Sequence, residues 1–301
     1  MAATITAAQV KALRDDTGLP MMDCKKALAE ADGDKDKAIK LLRERGELKA
    51  AGRQGRAAAE GYAAQAVASD NSAGAIVELN CETDFSARNE TFVGLAQAIA
   101  AAGLATGADS LDALQSAPLA DGRTVKEAVE DIRNQIREKI ELSSYQRVTG
   151  DLVVGYTHMN GVASSLVAAK AEGLTDDKRA AAADELRSIA MHIVAAFPAP
   201  RFLDRSQVDQ ATLDNEREIL TNITRNEGKP EAMIAKIVDG RMNSFYKDNC
   251  LVDQAYVREP KQSVKAATDD IAKGAGAKLT LIDFARVKVG EKASASGEGE
   301  E

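Results

Sequence analysis

An α+β fold of two similar halves with antiparallel sheets is what this sequence predicts, preceded by a small helical module and interrupted by a helical hairpin. Three observations carry that expectation. A run opened by Gly61-Tyr62, the turn-rich SDNSAG and the run AIVELN recur later as LVVGYTH, Asn160-Gly161 and VASSLVAAK. Each set is a pair of β-like runs about a turn of hairpin composition. Each is followed by a helical stripe, Phe92, Leu95 and Ile99 in the first and Leu186, Ile189 and Ile193 in the second. Tight hairpins pair their strands antiparallel, which favours two α+β units over a doubly wound parallel sheet. At 301 residues the chain has room for about two domains.

Residues 1–46 read as three short helices. Thr6-Ala7-Ala8-Gln9 has the form of a capping box, in which a hydroxyl covers an orphan amide and Gln reaches back. Val10 and Leu13 share a face until Gly18 ends the helix. Pro20 suits a first helical turn, and Met21, Cys24 and Leu28 follow at i, i+3 and i+7. Asp32-Gly33-Asp34 is a turn, and Ala38, Leu41 and Leu42 mark a third helix ending at Gly46. Residues 47–57, with Lys49, Arg53 and Arg56 among Gly and Ala, form a basic linker.

The first α+β subdomain is expected over 58–145. It includes a helix from Thr124, whose TVKE run is another capping box, with Val125, Val129, Ile132, Ile136 and Ile140 on one stripe. The second subdomain is expected over 146–289. Inserted in it at 206–246, Leu213, Leu220 and Ile223, with Ile219 beside them, precede the breaker NEGKP. Ile234, Ile237, Val238, Arg241 and Phe245 follow, making an antiparallel coiled-coil hairpin expected to protrude. After Pro260 a short helix leads into KLTLIDFARVKV, whose alternation reads as a strand. The tail 290–301 is small, acidic and of disordered composition.

Composition narrows the function. Acidic residues exceed basic ones, 47 to 39, for a net charge of −8. Nucleic-acid affinity rests on neutralising phosphates and on stacking, and so acidic a chain with 4% aromatic residues and no Trp matches neither. No stretch approaches the roughly 20 apolar residues of a membrane span. MAATITAAQVK lacks the regions of a secretory signal, so a cytoplasmic location without membrane contact is expected. Cys24, Cys81 and Cys250 are odd in number and far apart, which suits reduced thiols. Two histidines without CxxC or HExxH supply no metal-ligand spacing, and no GxxxxGK[ST] loop is present. No cofactor, metal site or catalytic constellation is expected.

A few residues still resist a bland reading. His192 sits on an apolar helical face and reads as a satisfied core histidine. His158, beside a hairpin turn, stays open between a surface residue and a contact. Cys24 reads as packing. Two adjacent methionines, Met21 and Met22, cannot both face one helix's core, so one is left for a partner. In Asn80-Cys81-Glu82-Thr83-Asp84-Phe85-Ser86 a strand ends and an acid and a ring come together before a helix that Asn89 or Ser86 offers to cap. On pattern alone the favoured reading folds Phe85 back into the core and makes Asp84 a turn or cap residue.

At these residues the chain becomes familiar. LRDDTGLPMMDCKKAL from Leu13, NCETDF at 80–85, IAMHIVAA at 189–196, GKP at 228–230, GRM at 240–242 and REP at 258–260 resemble, in that order, the bacterial elongation factor Ts family. Ordered motifs over ~280 residues are far more specific than any one of them. The resemblance implies guanine-nucleotide exchange on elongation factor Tu, a translational GTPase met in its GDP-bound and nucleotide-free forms, without covalent chemistry. It implies that residues 1–46 are a ubiquitin-associated-like module lying on the GTPase, with Arg14, Met21 and Met22 packed on a partner helix. It implies that Thr83, Asp84, Phe85 and Ser86 intrude beside the partner's magnesium site, that Phe85 wedges between partner side chains, and that His158 is a contact. The alternative is a helical-hairpin scaffold or ribosome-associated adaptor.

Three departures from the family pattern stand out. Leu19-Pro20 replaces a small pair. Polar Ser86 follows TDF where an aliphatic residue is usual, so less apolar contact is expected from it. Only KASASGEGEE follows the last strand where many members carry a terminal helix, so that helix's contact is expected to be missing or replaced.

Overall fold

The computed structural model describes residues 5–17, 21–35, 37–38, 41–42 and 58–291. Near the N-terminus, α1 (Ala7–Thr17) and α2 (Met21–Glu30) bury Val10, Leu13, Cys24, Ala27 and Leu28, together with Ala38 and Leu42 of a following helical stretch. The capping box forms: Thr6 N donates to Gln9 Oε1 at 2.9 Å and Gln9 N to Thr6 Oγ1 at 3.3 Å. Asp32 and Gly33, at φ 51° and 82°, make the turn. Met21 does not share the buried face of Cys24 and Leu28, because it opens α2 and the small cluster ends before reaching it. The expected stops at Gly18 and Gly46, the place of Pro20, the linker 47–57 and the tail beyond Glu291 lie outside the described residues.

The remainder is built on β1 (Glu60–Val67), β2 (Ala73–Cys81), β3 (Glu141–Thr149), β4 (Leu152–His158), β5 (Ala163–Glu172), β6 (Ala255–Tyr256), β7 (Glu259–Ser263) and β8 (Lys278–Lys288). Two three-stranded antiparallel sheets result, β1-β2-β3 and β4-β5-β8, with a short β6-β7 ribbon apart from them. Among the helices, α3 is Asp84–Ala87, α4 Glu90–Thr106, α5 Leu111–Gln115, α6 Val125–Ile136, α7 Asp176–Ala195, α8 Gln210–Asn226, α9 Glu231–Asn249 and α10 Val264–Ala275.

The period of two in each strand decides how these layers stack. Val77, Leu79 and Cys81 face Phe92, Ala96 and Ile99 of α4 and Val125, Val129 and Ile132 of α6. The alternate residue Ile76 turns the other way, with Ala63 and Val148, and meets Val153, Leu166, Ala168, Ala285 and Val287 of the second sheet. That sheet sends Leu152, Val154, Val167 and Ala169 outward against Leu186, Ile189 and Ile193 of α7 and Ile271 of α10. The order is helices, sheet, sheet, helices. A β2 buried on both faces accounts for its near-continuous apolar run. Gly74 permits the close approach, since a Cβ there would sit 2.9 Å from Leu166 Cδ2 and 3.1 Å from Val153 Cγ1.

The capping box at Thr124 forms with Glu127, but the stripe expected to reach Ile140 stops at Ile136. Arg137 takes φ 65° and closes α6, and Ile140 is buried in the connection that precedes β3. Nothing in the alternation of ELSSYQRVT marks β3; it is held as a strand by pairing with β2. In the hairpin, α8 and α9 pack through Leu213, Leu220, Ile234, Val238, Met242, Phe245 and Tyr246. Ile223 and Ile219 are exposed rather than buried, and Thr224 takes the inner place with its hydroxyl on Leu220 O at 2.6 Å. A two-helix contact is narrow, and Leu213, Leu220 and Thr224 supply the inner face of α8.

Candidate partner-binding site

β2 ends at Cys81, and the next residues make one tight turn. Thr83, extended at φ −126°, caps α3 by accepting the Ser86 N–H on its Oγ1 at 3.3 Å. Asn89 caps α4 by accepting from Thr91 N at 2.9 Å. Asp84 opens α3 on the surface, its carboxylate 3.3 Å from the Arg88 guanidinium. Phe85 is 85% exposed, which overturns the expectation that it folds back into the core. The reason is the cap: with Thr83 fixed against Ser86, the short helix turns Ser86 and Ala87 inward, and the ring between Asp84 and Ser86 goes out.

Ser86 is 7% exposed and its hydroxyl donates to Glu138 Oε1 at 2.7 Å, so its role is polar and internal. Glu138 also accepts from the Thr83 hydroxyl at 2.7 Å and from the backbone N–H groups of Glu82 and Thr83, both at 3.1 Å. Burial would raise its pKa, but the bonds from Thr83, Ser86 and Glu82 win, and the carboxyl lies below the usual 4.5. Sequence pattern gave no reason to single out Glu138, which lies 52 residues from Ser86. Cys81, on the inner face, is pushed up to about 12 by burial and by the Glu138 charge, so its thiol is no nucleophile at neutral pH.

His158 ends β4, half-buried, with Nδ1 2.9 Å from the Tyr156 hydroxyl. The turn after it runs through three positive-φ residues, Met159, Asn160 and Gly161. Met159 is 70% exposed, and Val162 is exposed beyond it. Gly161 lies against the Tyr62 ring so closely that a side chain there would overlap it. Both α3 and this turn pack on β1, so the Asp84–Phe85 turn and the His158 turn share one supporting strand.

Met21 and Met22 are both exposed at the start of α2, so two methionines rather than one face outward. Arg14 lies within α1, with its side chain outside the described residues. His192 is buried: Nδ1 accepts the Val257 N–H at 3.2 Å, which leaves Nε2–H to donate to Gln254 Oε1 at 3.0 Å. This is the satisfied core histidine its apolar face suggests. Arg241 is tied to Glu227 at 2.6 Å across the helical hairpin. Among the described residues no group of His, Cys, Asp and Glu is placed to hold a metal ion, and no helix is long and apolar enough to cross a membrane.

Comparison with known proteins matches this chain to a family. The family model described as elongation factor TS matches residues 82–291. The elongation factor Ts of Beutenbergia cavernae is 42% identical over 292 residues, covering 96% of this chain and 99% of that protein. Those of Clostridium novyi and Cytophaga hutchinsonii are each 40% identical, covering 95% of this chain and 93% and 99% of their own lengths.

Proposed function

The chain belongs to the elongation factor Ts family, and on that premise we propose that the turn Thr83, Asp84, Phe85 and Ser86 drives exchange, with Asp84 and Phe85 intruding beside the partner's magnesium and phosphate site while Thr83 and Ser86 hold them in place. The activity itself is guanine-nucleotide exchange on elongation factor Tu in translation elongation. A GTPase holds its nucleotide through P-loop amides, a Lys and Mg²⁺ bridging phosphate oxygens. The metal is the largest local positive charge opposing the phosphates, so shifting the loop that binds it weakens their retention.

Phe85 has the size for such a wedge. Each tenfold in release rate needs about 1.4 kcal/mol of barrier lowering, and a buried aromatic hot spot contributes roughly 2–4 kcal/mol. The observation that carries the reading is a large ring held 85% exposed on a turn whose backbone is hydrogen-bonded in place. This factor binds the empty partner more tightly than the loaded one, and linkage makes nucleotide expel it by the same factor. No covalent bond changes in this chain; two ligands compete for one protein.

The other contacts follow the same logic. Residues 1–46 act as a ubiquitin-associated-like docking module through Arg14, Met21 and Met22, joined by the linker 47–57. His158 meets the partner from the second subdomain (146–289), which carries the hairpin 206–246, while the first subdomain (58–145) carries the wedge. The partner is met GDP-bound or empty, in the cytoplasm, without nucleic acid or membrane. Stopped-flow release of labelled GDP from elongation factor Tu at fixed Mg²⁺ tests this. Phe85→Ala slows release strongly at unchanged thermal stability; release at the wild-type rate would reject the wedge, and no acceleration by the intact chain would leave only a scaffold.

A further inference from the structure

We propose that Glu138 is a positioning residue for exchange: its carboxylate is the clamp that holds the Asp84–Phe85 turn in its partner-ready shape. The proposal rests on the wedge reading above and adds the means by which the wedge is kept rigid. Four donors from the turn converge on this one side chain. Oε2 accepts the Glu82 and Thr83 N–H groups at 3.1 Å, and Oε1 accepts the Thr83 and Ser86 hydroxyls at 2.7 Å.

The tie is reciprocal. Glu82 Oε1 accepts from the Lys139 N–H at 2.6 Å, so turn and clamp each bond the other's backbone. The clamp is braced in turn by Arg133, whose Nε and Nη2 donate to Ile140 O at 3.2 and 2.7 Å. Arg137, left-handed at φ 65°, directs the chain out of α6 so that Glu138 arrives beneath the turn.

The turn needs such a device. A helix of four residues, Asp84–Ala87, is too short to sustain itself. Phe85 gains nothing from packing on its own protein, since its ring is exposed. Ordering it on binding would cost affinity and rate, and a turn populated in the competent shape only a fraction of the time loses apparent affinity by that fraction. Glu138 removes that loss before the partner arrives.

The experiment is GDP release from elongation factor Tu with the full chain carrying Glu138→Ala, Glu138→Gln, Phe85→Ala or the Phe85→Ala/Glu138→Ala pair, each with its thermal midpoint. Glu138→Ala should slow release roughly tenfold, a loss of about 1.4 kcal/mol in barrier lowering. Glu138→Gln should retain most of the rate, because its amide oxygen still accepts the two N–H groups and its NH₂ can donate to the two hydroxyl oxygens. In the Phe85→Ala background the alanine at 138 should add little, since the clamp acts through the ring.

Wild-type release by Glu138→Ala, full additivity in the pair, or Glu138→Gln as slow as Glu138→Ala would each overturn the clamp. Wild-type release by Phe85→Ala would instead overturn the wedge itself, so the two failures are distinguishable. Should Glu138→Ala lower the thermal midpoint, amide exchange decides. Faster exchange confined to Glu82 and Thr83 supports the clamp, and loss of protection across β2 overturns it.

Discussion

The two halves of the core leave their central strands by different routes. β5 ends at Glu172 and passes through residues 173–175, with Gly173 at φ 80°, into α7 at Asp176. β2 ends at Cys81 and takes residues 82–89 to reach α4 at Glu90, making α3 on the way. Strand, turn and helix are otherwise alike in plan, and both sheets bury the same two faces. What the longer route adds is an exposed ring and an acid, on a turn that Glu138 holds from outside it. The proposed wedge thus places function in one connection of a repeated plan, where the sheet supplies a rigid support and the loop is free to vary.

The sharpest way to break that comparison uses two phenylalanines seven positions apart, Phe85 and Phe92. Phe92 is fully buried against β2, and Phe92→Ala should cost about 3–5 kcal/mol in chemical unfolding. Phe85→Ala should leave unfolding within about 0.5 kcal/mol of wild type, as exposed positions do, while exchange collapses. Equal losses of stability at both sites would place Phe85 in the core after all.

In the second half, His192 plays the internal role. Its replacement by Ala strands the Val257 N–H and Gln254, for roughly 1–3 kcal/mol in the same unfolding assay. Burial holds its pKa below the usual 6.5 against the opposing Gln254 bond. The folded state therefore prefers neutral imidazole, and its stabilising share is full above about pH 6.5 and lost as pH falls through the lower folded value. Unfolding titrations from about pH 7 to 5 should show that slope in the wild type and a shallower one in His192→Gln.

Smaller effects test the helices that flank the site. Thr124→Ala removes the capping box of α6, the helix that leads to Glu138, and should cost about 1 kcal/mol of stability with exchange little changed. Glu227→Gln breaks the Arg241 pair on the hairpin, where both partners are partly exposed, and should shift unfolding by no more than about 0.5 kcal/mol.

Much of this molecule was legible in the sequence because it is local. Hairpins about SDNSAG and Asn160-Gly161, the helical stripes of Phe92 and Leu186, and the boxes at Thr6 and Thr124 are all set within a few residues of themselves. The motifs about Met21 and Asp84 named the family and the residues of interest. Tertiary structure alone decided the rest: that the sheets stack through Ile76 and Leu166, that ELSSYQRVT pairs as β3, that Phe85 stands outside, and that Glu138 reaches back to hold it. The stacking, the β3 pairing and the clamp depend on partners distant along the chain, and the exposure of Phe85 on which side of the capped turn the rest of the fold covers. Periodicity reports which face of an element is apolar, but only the folded arrangement determines what that face, or a carboxylate at a helix's end, will meet.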